Sequence, residues 1–271
     1  MAIETAVRYS ALVDAKLRND LVLKDGVIFN NRYEGDPKAG AVKVRKSGTA
    51  TVQDYDREKG VPLTAGASEW ITITINKDKA INEIVDGYTA AAIPDGLIAD
   101  RLDEGARGIA VALDTDGAVC LVSEGTVMED TTAITAANAY GIAVDARTAM
   151  SKAGVPNAGR YMLVSPDAYA SFLKSPEFIK ASQLGDAVVQ TGAVGAIAGF
   201  NVYESANLGE GVEFVAGHPN YATRVNEWTV DVHVQDLSGS GNFIGASAVQ
   251  GRKVYAHKVT NAAAILVKKS A

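Results

Sequence analysis

A single cysteine, Cys120, stands in this chain of 271 residues. One thiol cannot close an intrachain disulfide, so the fold rests on its core and a reducing cytosol suits its production. Cys120 itself reads as a small apolar filler. Histidine is almost as scarce, with His218, His233 and His257 as the whole complement. His233 sits among polar strand residues and His257 near an exposed strand end, which assigns both to surface or rim positions. There is no HExxH, no cysteine pair and no His-carboxylate spacing, so no metal site is expected. The glycines match neither the phosphate loop, which needs Gly-Lys-Ser/Thr, nor the dinucleotide fingerprint GxGxxG. No GxSxG elbow occurs, and Ser165 has no histidine close in sequence to serve as its base. The chain is therefore read as no enzyme, with no catalytic residue and no cofactor. Long hydrophobic runs are missing too: no stretch approaches membrane-spanning length, and MAIETAVRYSALVDAKL lacks the apolar core of a signal peptide. No membrane partner is expected.

What is present is ordinary globular material, 47% hydrophobic and 21% charged. A chain of this length can bury a substantial core, in one large domain or two interleaved ones. The most informative stretch runs from Arg160 to Leu208. Tyr161 to Val164 is an apolar run short enough for a buried strand. Ser165, Pro166 and Asp167 then form a helix start: a capping hydroxyl, a proline at the first helical position and an acid at the positive end. Tyr169, Phe172 and Leu173 share one helix face, and Pro176 stops the helix after Ser175. Ser175, Pro176 and Glu177 repeat the start signal. Gly192, Gly195 and Gly199 space the next segment, and Phe200 to Glu204 reads as a second strand.

This series, VSP opening a helix, LKSPEF, then GAVGAIAGFNVYESANL turning back into a strand, resembles the axial domain of tailed-phage major capsid proteins of the Hong Kong 97 type. Fainter similarity extends over nearly the whole chain. The resemblance implies an α+β subunit: N-terminal arm at 1–39, extended β-hairpin loop at 40–76, peripheral domain with a long spine helix at 77–118 and 224–258, and axial domain at 119–223 and 259–271. It implies self-assembly into hexamers and pentamers of an icosahedral phage head around double-stranded DNA. A portal and a scaffolding protein would be the other partners, with assembly in the host cytoplasm. The family often carries an N-terminal scaffolding extension, whereas this chain enters the arm at Met1; a separate scaffolding protein or a mature chain is then expected. Some members crosslink a lysine to an asparagine. Lys59 and Asn242 are of the right type, but no matching motif accompanies them and that chemistry is not carried over. Two other readings stand beside this one: an encapsulin-like cargo compartment, and a soluble α/β ligand-binding protein or enzyme.

The rest of the chain is read from its residues. A net charge of −6 excludes a protein that coats nucleic acid by blanket phosphate neutralisation, though a shell need not grip what it encloses. Thr5 to Leu17 is weakly amphipathic, a short helix in an arm, and Asp25-Gly26 marks a turn between two extended runs. An ordered arm would find its partner in another subunit. Val42 and Val44 alternate with Lys43 and Arg45, and Ile71, Ile73 and Ile75 alternate with Trp70, Thr72 and Thr74, so two strands with one wet face flank a long polar excursion. Lys43, Arg45, Lys46, Arg57 and Lys59 make this hairpin cationic. Asp100, Asp103 and Glu104, joined by Asp95 and Asp114 and opposed by Arg101 and Arg107, make the following helix anionic. Opposite signs fix register between partners, so the hairpin of one subunit is expected to dock on the long helix of the next. Lys43, Arg45, Lys46, Arg57, Lys59, Asp100, Asp103, Glu104 and Arg107 are the candidate contact residues.

That helix starts near Asp95, its N-cap, after Pro94. Ile98, Leu102, Gly105, Ile109 and Leu113 form its apolar stripe, and Gly105 and Gly108 suggest close approach of another backbone. Asp114-Thr115-Asp116-Gly117 lacks the ligand spacing of a calcium loop and is expected to be a helix-ending turn. Thr135 caps a second helix over Ala136 to Ala153, closed by Gly154 and Pro156. Strands follow at Val212 to Ala216, Trp228 to Val234, Phe243 to His257 and Ala263 to Val267, with a flexible turn at Ser238 to Asn242.

Overall fold

The computed structural model describes residues 23–47, 52–63, 65–66, 68–92, 96–176, 195–238 and 243–270. The expected helix at Thr5 to Leu17, the caps at Pro94 and Asp95, Glu177, Gly192 and Asn242 lie outside the described residues.

Strands β1 (Ala41–Ser47) and β2 (Ser68–Thr74) pair antiparallel as a hairpin, with Lys43 opposite Thr72 and Arg45 opposite Trp70. The alternation works as the sequence says. Val42 and Ile73 are buried, and with Val225 and Ala256 they make a small core at the hairpin base; Lys43, Arg45, Trp70 and Thr72 face solvent. The chain continues into β3 (Lys77–Asp86), a short helix α1 (Gly87–Ala92) and the long helix α2 (Leu97–Glu124). Much later β9 (Ala222–Asp236) and β10 (Ala246–Val259) return to join β3, in the antiparallel order β3-β10-β9. Strand β9 runs longer than the expected Trp228 to Val234, and β10 is shifted toward the C-terminus, leaving Phe243 outside it and reaching Val259. Helix α2 lies across this sheet, packing on all three strands.

Among the described residues the second sheet has six strands. They are β4 (Thr126–Val127), β5 (Tyr161–Val164), β6 (Ala196–Ile197), β7 (Phe200–Glu204), β8 (Val212–Gly217) and β11 (Leu266–Lys269), ordered β4-β11-β8-β5-β7-β6. Between β4 and β5 runs α3 (Ala139–Lys152), and α4 (Pro166–Leu173) follows β5. Every residue of β5 is buried because both sheet faces are covered. Met162 and Val164 meet Ile142, Ala146, Met150 and Phe172 of α3 and α4, together with Phe214. Tyr161 and Leu163 point the other way, toward Leu121 of α2, Val215, Val267, and Leu23, Ile28 and Phe29. The Ser165 hydroxyl accepts from the Ala168 amide at 3.4 Å, with Pro166 in the first turn. Phe172 is fully buried and Tyr169 and Leu173 pack beside it, as their spacing requires.

Several expectations are corrected. Helix α2 does not end at Asp114-Gly117 but runs on to Glu124, because tertiary contacts hold each of the poor helix formers. Asp114 is buried and accepts from the Leu23 amide at 3.5 Å. Asp116 receives Lys77 and Tyr255. At Gly117 a Cβ would stand 3.0 Å from Leu23 Cδ2 and 3.1 Å from Phe29 Cε2. The neighbours of Gly105 are side chains of the sheet, Ile81 and Val232, and not a second backbone. Helix α3 begins at Ala139, three residues late, since Asn138 Oδ1 accepts from the Thr135 amide at 2.7 Å and ties 135–138 into a turn. Helix α4 ends at Leu173, before Pro176. The last strand starts at Leu266, after a 3-10 turn over Ala262–Ala264. Segment 23–30, expected on a neighbouring subunit, packs on its own body: Leu23, Ile28 and Phe29 are buried there, each burial stabilising by roughly 1.5–3 kcal/mol.

Candidate functional site

Among the described residues no group of three or more His, Cys, Asp or Glu side chains could hold a metal ion, and no helix is long and apolar enough to cross a membrane. The features that remain are surfaces. The hairpin reaches beyond its base as polar and apolar residues in the open. At its tip Asp56 accepts from the Glu58 amide at 2.8 Å and the Lys59 amide at 3.3 Å, and the Gly60 amide donates back to Asp56 O. This turn displays Arg57 and Lys59 to solvent. Around it Val52, Tyr55 and Leu63 are exposed, the first and last almost completely. Leaving three such side chains in water is unfavourable for an isolated subunit.

Of the cations on β1, Lys43 and Arg45 are free of any ion pair among the described residues, while Lys46 lies 3.9 Å from Glu69 on the facing strand. On α2 Asp100, Asp103 and Arg107 are exposed and Glu104 is half-buried. Asp114 is buried against Leu23 and cannot serve a partner, so the helix offers less negative charge than its sequence suggests. Within one chain no ion pair among the described residues joins Lys43, Arg45, Arg57 or Lys59 to Asp100 or Asp103.

Beside those acids lies a groove of about 400 Å³ between α2 and the β9–β10 pair, lined by Leu102, Ile109, Leu113, Val230 and Val232 and by both acids and cations, Asp103 and Asp231 with Arg252 and Lys253. Strand β9 is the sheet's edge, so the groove is open along one side. The apolar stripe of α2 was legible in sequence. Its incomplete cover was not, because that depends on which strand ends up at the edge.

The buried polar groups escaped sequence reasoning altogether. His257 is half-buried two residues from the end of β10, with its ring turned onto buried partners. Its Nε2 accepts from Arg224 Nε at 2.9 Å and its ring lies 4.9 Å from that of Phe29. Burial, then the Arg224 charge, push its pKa down to about 3. His218 is buried: Nδ1 accepts from the Asn220 amide at 3.2 Å, so Nε2 donates to Ala158 O at 2.9 Å. Exposed His233 fits its expected place. Arg160 is buried against carbonyls at the end of α3, donating to Val155 O at 2.6 Å and Pro156 O at 2.8 Å. Cys120 is half-buried with Sγ 3.7 Å from Glu124 Oε2, and burial pushes its thiol up to about 12, with the Glu124 charge adding to the effect. A lone charged letter inside an apolar strand is the signal that could have marked such sites, as with Arg224 in β9.

The arrangement of helix, long sheet and projecting hairpin occurs in solved phage structures. A cyanophage P-SCSP1u capsid structure superposes with a TM-score of 0.79 at 12% identity, covering 98% of this chain and 92% of that one. A chain from Mycobacterium phage Che8 gives 0.74 at 24% identity, over 89% and 88%. The asymmetric unit of the bacteriophage PhiM1 mature capsid gives 0.66 at 11%, over 100% and 90%. At these identities the likeness establishes a mixed α+β viral shell fold. No curated protein matches the chain in sequence. The family model for phage capsid protein matches residues 75–267, and the chain belongs to that family. It is a phage capsid protein, a structural component of the phage head and not an enzyme.

Proposed function

We propose that this subunit builds hexamers and pentamers of an icosahedral head enclosing double-stranded DNA, in a Hong Kong 97-type fold. On this reading 1–39 is the N-terminal arm, 40–76 the extended loop, 77–118 with 224–258 the peripheral domain around α2 as spine, and 119–223 with 259–271 the axial domain. Assembly takes place in the host cytoplasm, with a scaffolding protein and a portal as partners. The observation that carries the reading is the hairpin, anchored at its base by Val42 and Ile73 while its tip holds Val52, Tyr55 and Leu63 in solvent. A neighbour's groove between α2 and β9 supplies an apolar floor for such a tip, with Asp103 at its rim to face Arg57 and Lys59. Charge sets the register of docking, and apolar burial supplies most of the affinity. Many such contacts, each weak, add through multivalency into a closed shell.

Size-exclusion chromatography with negative-stain microscopy tests this. Megadalton icosahedral particles are expected. A small oligomer as the end state contradicts the reading, and particles isolated from infected cells with a protein cargo in place of DNA point to a compartment shell instead.

A further inference from the structure

Segment 23–30 is held on its own subunit by apolar burial and by one polar cluster. Arg224 of β9, its side chain only 3% exposed, is the centre of that cluster. Its Nη1 donates to Asp25 Oδ1 at 3.0 Å, its Nε donates to His257 Nε2 at 2.9 Å, and its guanidinium stacks 4.7 Å from the centre of the Phe29 ring. Phe29 is fully buried and covers both Arg224 and His257. Backbone bonds close the same junction, from the Asn30 amide to Ala222 O and from the Arg224 amide to Asn30 O, each 2.8 Å.

Because Nε2 of His257 accepts, the ring is neutral and its proton sits on Nδ1, which is buried without a partner. A second proton would have to occupy Nε2, where it would face the Arg224 N–H, donor against donor and cation against cation. We propose that Phe29, Arg224 and His257 form an acid-sensitive latch, which keeps segment 23–30 on its own subunit at neutral pH and lets it go when the imidazole becomes charged.

The groups around the ring support this from every side. Arg224 on β9, Lys77 on β3 and Lys253 on β10 oppose a charge on His257, and Asp116 on α2 favours it. Asp116 is already engaged by Tyr255, Lys77 and Lys79. Asp114 on α2 and Asp25 act on Arg224, and the Tyr255 ring packs edge-on to the imidazole at 5.4 Å. Burial outweighs the rest and holds the docked imidazole down at about 3. Once Phe29 lifts away the ring is hydrated and rises toward the ordinary value of about 6.5, which the remaining Arg224, Lys77 and Lys253 charges make an upper bound. The detached state therefore binds the extra proton between those two values, so docking is intact above about pH 6.5 and weakens about tenfold per pH unit below it. By linkage, docking of Phe29 excludes the proton to the same degree. Release exposes Leu23, Ile28 and Phe29 for another use, such as a second copy of this chain, while the backbone pairing of β5 with β7 and β8, which does not involve 23–30, is kept.

Hydrogen exchange on the full chain, corrected for intrinsic rates, tests the latch between pH 7.5 and 5, above the range where ordinary carboxylates titrate. Protection of a peptide covering 23–31 should fall by up to about 30-fold between pH 7.5 and 5, with the amides of β5 unchanged. His257→Gln keeps an acceptor for Arg224 but cannot titrate, and its profile should be flat. A flat wild-type profile, or an H257Q slope equal to wild type, overturns the proposal. Should H257Q not fold, the wild-type imidazole resonance decides: no titration down to pH 5 supports the latch, and a midpoint near 6.5 refutes it.

Discussion

Tyr255 on β10 donates its hydroxyl to Asp116 Oδ2 on α2 at 2.7 Å, tying the centre strand of the long sheet to the helix that crosses it. Lys77 and Lys79 of β3 approach the same carboxylate at 3.3 and 3.8 Å. Burial works to raise the Asp116 pKa, but the Tyr255 and Lys77 hydrogen bonds and both lysine charges outweigh it and leave the group below the usual carboxylate range. The contact explains how α2 passes through a sequence that reads as a turn. Tyr255→Phe should lower stability by about 1 kcal/mol, read from the urea midpoint, because Asp116 then keeps only its lysines. An unchanged midpoint would show that packing alone carries the helix.

Gly108 offers the opposite case. Nothing stands within 4 Å of the position its Cβ would take, so the isolated subunit gains nothing from a glycine there. Gly108→Ala should stabilise the subunit by roughly 0.8–1 kcal/mol in thermal or urea unfolding. A loss of stability would mean that the helix surface is covered at this point.

Lys268 of β11 is completely buried, with Nζ 2.8 Å from Asp130 Oδ2 and 2.5 Å from Asp130 O. The Lys268 hydrogen bond, followed by those from Thr132, holds the Asp130 carboxyl far below its ordinary value. A depressed carboxylate contributes stability that is complete above about pH 3.9 and lost as pH falls through the folded value. Asp130→Asn should therefore destabilise at neutral pH by stranding a buried ammonium, and should flatten the acid limb of the stability profile. Lys268→Met removes the charge together with the need for its partner and should cost less. Equal losses in the two variants, measured by urea unfolding at pH 7, would contradict this account.

Cys120 should resist alkylation. With its thiol pushed up to about 12, the thiolate that reacts is nearly absent at pH 8. Iodoacetamide labelling followed by mass spectrometry should be slow in the folded chain and complete in denaturant; fast labelling of the folded chain would place the thiol in the open.

How far the sequence reveals this molecule depends on the range of the forces involved. Local signals survive intact: the alternation of Trp70 to Ile75, the Ser165-Pro166 start, and the β5 run Tyr161 to Val164 all appear where their residues place them. Signals that tertiary contacts can override do not. Asp114, Asp116 and Gly117 are poor helix formers, yet Leu23, Phe29, Lys77 and Tyr255 make a helix the better choice there. Of the candidate contact residues, Lys43, Arg45, Lys46, Arg57, Lys59, Asp100, Asp103 and Arg107 are exposed and Glu104 is half-buried; the burial of Asp114, which only added to the helix's charge, could not be read without knowing where segment 23–30 lies. The polar cluster at Arg224 and His257 was invisible for the same reason, since Asp25 and Arg224 stand 199 residues apart in sequence.

The docking of the hairpin on a neighbour's helix is tested most directly by sedimentation velocity on a charge swap. Arg57→Glu with Lys59→Glu should leave far-UV circular dichroism unchanged and abolish fast-sedimenting shells, and adding Asp100→Lys with Asp103→Lys should restore part of them. Normal shells from the hairpin double variant would contradict the account.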